Sequence, residues 1–158
     1  SNRTALWSRL GRMDRAGDDL RRAVQLGRRI GNALVERTAS HNLAEQLYWQ
    51  GDLEEALPLA LRARDLHQRF IGEGELPDSA LLVARVRAAR GDLEDARAEL
   101  AALPRTGTLA PINQVLVRLL ELVLRPSTRA DWDALAVQVQ ALDIPEVTRE
   151  FEIFAGKR

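Results

Sequence analysis

His41 and Glu45 stand four residues apart in SHNLAEQ, the spacing that places two side chains next to each other on a helix, and both are metal-ligating types. Two ligands of mixed type fall short of the three or four that a zinc site uses. The pair therefore reads as a solvated or groove-lining contact, with no metal and no cofactor expected. The other histidine, His67, falls on an outer helical face. Cysteine is absent, which removes thiolate nucleophiles and disulfides together. GRMDRAGDDL has glycines six apart but lacks the Lys-Ser/Thr that completes a phosphate loop. The acids of GDLEEA and GDLEDA sit where helices begin and complement the helix dipole there, so they are not paired catalytic acids. No activated nucleophile or acid/base pair assembles from these residues, and catalysis is the least expected class of function.

Arginines and aromatics remain as candidates for binding chemistry. Arg85, Arg87 and Arg90 fall within one short segment, RVRAAR, and would form either a basic edge for phosphate or an acidic peptide, or a solvated face balanced by Asp and Glu. Lys+Arg and Asp+Glu both count 23, so no dominant field favours nucleic acid or an anionic membrane. Trp7 shares the register of Leu47, and Trp132 heads a stripe with Leu135 and Val139, so both read as core. Trp49, with Tyr48 beside it, has no apolar counterpart in the equivalent slots Arg9 and Ala89. It is the candidate for an exposed aromatic anchor, with packing on a neighbouring unit as the alternative.

These residues must be positioned by helices. GRMDRAGDDL, GDLEEALPLA and GDLEDARAEL begin at Gly11, Gly51 and Gly91, forty residues apart. Each glycine is followed two residues on by a large apolar side chain (Met13, Leu53, Leu93) and five on by alanine (Ala16, Ala56, Ala96). Apolar spacings of three, four and seven belong to helix faces, and no segment alternates with period two long enough to be a strand. The pattern predicts helices near 3–10, 13–30, 33–49, 53–70, 78–90, 93–103, 109–124, 129–142 and 145–154. Glycine closes one helix in a left-handed turn, Asp52 and Asp92 cap the next with Glu55 and Asp95 in capping-box position, and alanine lets the pair nest. Thr128 or Ser127 is expected to cap a later helix, and Pro111 to sit in a first turn. The 46% apolar and 29% charged content is that of a globular chain, and no apolar run approaches membrane-spanning length. Among the 23 basic residues only Lys157 is lysine, which points to a GC-rich, bacterial genome. The opening Ser1-Asn2, with no Met, suggests a fragment of a longer protein, and a cytoplasmic location is the default expectation.

A helix–turn–helix unit with Leu43-Ala44, Leu47, Gly51, Leu53, Ala56, Ala60 and Ala63 at these spacings resembles the tetratricopeptide repeat. The forty-residue period is similar to the longer-helix variety found in bacterial STAND and transcription-activator-type regulators and in kinesin light chains. The resemblance is good over 11–103 and weak beyond, where a unit starting at Pro111 would carry Arg118 at its small position. It implies an all-α, right-handed solenoid of antiparallel helix pairs, eight or nine helices in one domain over 1–158. Units would fall at about 1–32, 33–72 and 77–107, with a degenerate unit or cap over 108–158. It also implies that the first helix of each unit lines a concave face, here presenting Thr38, His41, Glu45, Tyr48, Trp49, Asp78, Leu81, Arg85 and Ala89. Glu45 stands where the chaperone-tail subclass carries an Asn of its carboxylate clamp, so that specificity is not expected. The leading expectation is a non-catalytic module capturing a protein or peptide partner in the groove, without nucleic acid or membrane. Two alternatives stay open: a small-ligand sensor, which a deep closed pocket would favour, and a spacer or homodimer through the C-terminal helices. The last requires Leu116, Leu119, Leu120, Leu122, Val123 and Leu124 to remain exposed in the monomer.

Overall fold

The structure, a computed structural model, describes residues 13–70, 78–103 and 109–156. The expected helix at 3–10, Trp7, the Gly11-Arg12 junction, and most of the GEGELPD and Pro104–Gly107 connections lie outside these residues. The described residues form eight helices and no strand: α1 (Met13–Ile30), α2 (Ala33–Gln50), α3 (Leu53–Phe70), α4 (Asp78–Arg90), α5 (Leu93–Ala102), α6 (Pro111–Leu124), α7 (Arg129–Leu142) and α8 (Pro145–Ala155). Consecutive helices pack on one another in an all-α solenoid, with α2 on α1 and α3, and α4 on α3 and α5.

The repeated glycines explain the turns. Gly51 and Gly91 have φ of 85° and 87°, and a Cβ at either would meet no atom within 4 Å, so backbone conformation and not space selects glycine. Both turns close identically: the next amide reaches back five residues, Asp52 N to Leu47 O at 2.9 Å and Asp92 N to Arg87 O at 3.0 Å. The caps divide. Asp52 Oδ1 accepts the Glu55 amide at 3.2 Å. Asp92 makes no side-chain cap; its carboxylate pairs instead with Arg90 Nη1 at 3.4 Å. Nor do Glu55 and Asp95 close capping boxes, for they reach outward to Arg21 and Arg87. Thr128 forms the full box: Oγ1 accepts the Asp131 amide at 3.2 Å, and Asp131 Oδ2 accepts the Thr128 amide at 2.8 Å. Thr128→Ala should therefore cost about 1 kcal/mol in chemical denaturation, whereas Asp92→Ala should stay within about 0.5 kcal/mol.

The alanine positions sit in like surroundings: Ala16, Ala56 and Ala96 are each 0% exposed. Two apolar clusters meet at α4, which gives Leu82, Val83 and Val86 to the α1–α3 side and Leu81, Ala84 and Ala88 to the α5–α8 side. Covered on both flanks, α4 is buried along most of its length, and the charge it carries inside is Arg85. Leu116, Leu119, Leu120, Leu122 and Leu124 are buried in the second cluster, with Val123 packed against it. The exposed leucine patch required by the homodimer or spacer reading is therefore not there. α6, which carries them, packs on α4, α5, α7 and α8 of the same chain.

Glu36 pins the first three helices. Its Oε1 accepts Arg62 Nε at 2.8 Å and Arg28 Nε at 3.0 Å, from α3 and α1 respectively. The Arg62 hydrogen bond, outweighing the opposing effect of burial, holds this carboxyl below the usual glutamate range. A depressed folded-state pKa means that the contribution is complete above the unfolded value of about 4.3 and is lost as pH falls through the folded one. Glu36→Gln should accordingly lose less melting temperature between pH 7 and pH 3 than the unmodified chain.

Candidate partner-binding face

α2 and α4 send Tyr48 and Arg85 to one place, and α8 lies against them there. The contact is built on charge. Arg85, in the middle of α4, is 3% exposed, and Glu150, in the middle of α8, is 2% exposed. Arg85 Nε and Nη2 donate to the two Glu150 carboxylate oxygens at 2.9 and 2.7 Å, a bidentate fork. Its remaining nitrogen, Nη1, donates to Glu45 Oε1 at 3.0 Å. Tyr48 donates its hydroxyl to Glu150 Oε1 at 2.7 Å, and the guanidinium carbon lies 5.1 Å from the Tyr48 ring centroid. Burial opposes the charge on Arg85, but the Glu150 and Glu45 carboxylates more than offset it and raise the guanidinium pKa well above its ordinary value. Burial, with the Glu150 charge beside it, likewise raises the Tyr48 phenol, which stays a neutral donor.

His41 extends the network. Its Nδ1 lies 3.0 Å from the buried Ser79 hydroxyl and its Nε2 lies 3.8 Å from Glu45. Burial holds the imidazole below its ordinary pKa, so it is neutral at pH 7. Among the described residues no cluster of three or more His, Cys, Asp or Glu side chains is placed to hold a metal ion.

The nine residues expected on the concave face have different fates. His41, Glu45, Tyr48 and Arg85 converge on one network with Glu150. Thr38 and Asp78 are exposed, and Asp78 accepts a hydrogen bond from Asn113 at 3.2 Å. Trp49 and Ala89 are half-buried. Leu81 is buried in the core, so the face is built without it. Of the two arrangements open to these arginines, the basic edge does not form: Arg85 is inside, Arg87 pairs with Asp95 and Glu99, and Arg90 pairs with Glu54 and Asp92. Arg85 alone has a bidentate carboxylate partner, the geometry a guanidinium fork matches, and it alone of the three is buried. Trp132 is core as expected, its ring tilted 52° to that of Phe151 of α8 with centroids 5.9 Å apart, and it donates its indole N–H to Ser127 at 3.1 Å.

Glu150 is the residue that sequence reasoning did not single out. Its signal was its place between Val147 and Phe154, both buried, which sets a carboxylate inside an apolar helix stripe. Beside the clamp, Trp49, Leu53, Ala89, Ile153 and Phe154 line a cavity of about 190 Å³. The buried Trp49 Nε1 has no hydrogen-bond acceptor. A second, more open cleft of about 590 Å³ runs between the α4–α5 turn and the α6–α7 junction, lined in part by Arg90, Leu122, Arg125 and Trp132.

The matched turns, the buried alanines and the stacked helix pairs give the central segment a repeat character that one family model shares. Residues 35–101 match the model of the tetratricopeptide repeat family. Tetratricopeptide repeats are, in general, non-catalytic protein–protein interaction modules. The matched span runs from α2 to α5 and contains Glu45, Tyr48, Trp49 and Arg85, but not Glu150. No curated protein matches the chain. No helix among the described residues is long and apolar enough to cross a membrane.

Proposed function

We propose that this chain is the non-catalytic, protein-binding module of a larger bacterial regulatory protein, taking a partner peptide or helix on the face made by α2 and α4. The observation that carries the reading is α8 itself, a helix already held on that face by side chains from two repeat units. A tetratricopeptide segment supplies the frame, and the Arg85–Tyr48–Glu45 cluster supplies a directional contact of the kind that fixes a helix in register. His41 and Trp49 border the contact, and the exposed Thr38 and Asp78 form its rim. The arginine-biased composition supports the bacterial parentage, and a cytoplasmic location belongs to the same proposal. Neither cleft described above is the closed pocket that would favour an inducer sensor.

The test is a selection of helical peptides from a displayed library on the immobilised chain, with Trp49→Ala and Arg85→Gln chains as counter-targets. Peptides that bind the unmodified chain and lose affinity at least about tenfold on either counter-target support the reading. Peptides that bind all three chains equally place the interaction elsewhere, and a selection without enrichment sinks the module reading.

A further inference from the structure

α8 fills its site incompletely. The bidentate Arg85–Glu150 fork and the Tyr48 hydroxyl satisfy the carboxylate in full. One helical turn later the fit loosens. The cavity of about 190 Å³ separates Trp49, Leu53 and Ala89 from Ile153 and Phe154, while Ile153 is 46% exposed. The Trp49 indole N–H is buried without an acceptor. An unfilled apolar space and an unmet buried donor each weaken a docked helix relative to one that fills the space and supplies the acceptor. The connection that leads into α8 is short. Asp143 and Ile144 alone separate α7 from α8, and Asp143 adopts φ 52°, the left-handed region that turns the chain sharply.

We propose that α8 is a resident stand-in for the partner: the site takes, in its place, an external helix bearing a carboxylate and, four residues on, a bulkier aromatic. The carboxylate replaces Glu150 on Arg85 and Tyr48. The aromatic replaces Phe154 and fills the space beside Trp49. Charge selects the class, because Arg85 is buried and a partner without an acid would leave its Nε and Nη2 donors unmet, with Glu45 holding Nη1 alone. This inference rests on the interaction-module reading and adds to it the partner's chemistry and the competition with α8. A tethered helix competes at a high effective concentration, so the unmodified chain responds only to a partner that binds better than α8 does.

The experiment uses the full chain, its Glu150→Gln variant, and a fluorescein-labelled peptide of residues 143–156 as probe. The Glu150→Gln chain should bind the probe roughly 30-fold or more tightly than the unmodified chain, because its own helix has lost the charged fork. Placing Glu150→Gln in the probe should erase that gain, and so should adding Arg85→Gln to the variant chain. Hydrogen exchange on the unmodified chain gives a second reading that no variant's folding can obscure: amides of α8 should exchange faster than those of α2 and α4. Equal probe binding by a folded Glu150→Gln chain, or α8 amides as protected as those of α4, would overturn the proposal and make α8 a fixed part of the core. Either result leaves the library selection to judge the module reading independently. Enriched peptides that lack an acid would also overturn this inference while upholding that reading.

Discussion

Arg85→Met is expected to destabilise the chain by roughly 3–5 kcal/mol, the range for removing one member of a buried ion pair. Methionine approximates the volume of the arginine stem, so the loss reports charge and not a hole. It leaves Glu150, 2% exposed, with the Tyr48 hydroxyl as its one hydrogen-bond donor among the contacts described above. For a chain of this length the change corresponds to a fall in melting temperature of roughly 6–20 °C. The double substitution Arg85→Met with Glu150→Leu should recover most of the loss, since replacing a whole buried pair by apolar groups is often neutral or better. Two thermal melts separate the alternatives. Equal losses in the single and double variants would mean that α8 is held by Val147 and Phe154 and that the charges are bystanders.

Much of the architecture was legible because it is local. A left-handed glycine, a nested alanine and an apolar stripe of helical period each depend on neighbours within one turn or one hairpin, and the predicted helices match the described ones to within two residues at either end. Capping was legible only in part. Asp52 and Asp92 occupy the same place in the repeat, yet Arg90 draws Asp92 away, whereas Asp52 remains on its amide. The face was legible as a list of first-helix residues but not as a site. Its central contact joins Tyr48 to Glu150 across 102 positions and Arg85 to Glu150 across 65, and no periodicity carries that far. What the residues do show is a misplaced charge. Glu150 falls among Val147 and Phe154, and Arg85 falls among Leu81, Leu82 and Ala88. Each signals a buried partner without naming it. Glu36, three and seven residues before the buried Ala39 and Leu43, carries the same mark and finds Arg62. In a stack where every apolar face must find a neighbour, a charge on such a face predicts a long-range ion pair.

The stack also depends on how closely its helices approach, and that dependence yields the second large effect. Ala56→Leu and Ala96→Leu should each cost roughly 1–3 kcal/mol, because both sites are closed on all sides and three added carbons must displace a neighbouring helix. Gly27 tests the same closeness from the backbone. A Cβ there would lie 2.6 Å from the Glu36 amide nitrogen and 2.8 Å from its Cα, atoms that no rotamer change can move aside. Alanine is the better helix former by about 1 kcal/mol, so an exposed site would gain from Gly27→Ala. Here the sign should reverse, and the melting temperature should fall as α1 and α2 are forced apart and Glu36 is drawn from Arg62. A rise would mean that the two helices have slack between them. That slack would count against the tight nesting on which the alanine predictions also depend. The three variants together therefore weigh the packing of the stack separately from the charge that holds α8.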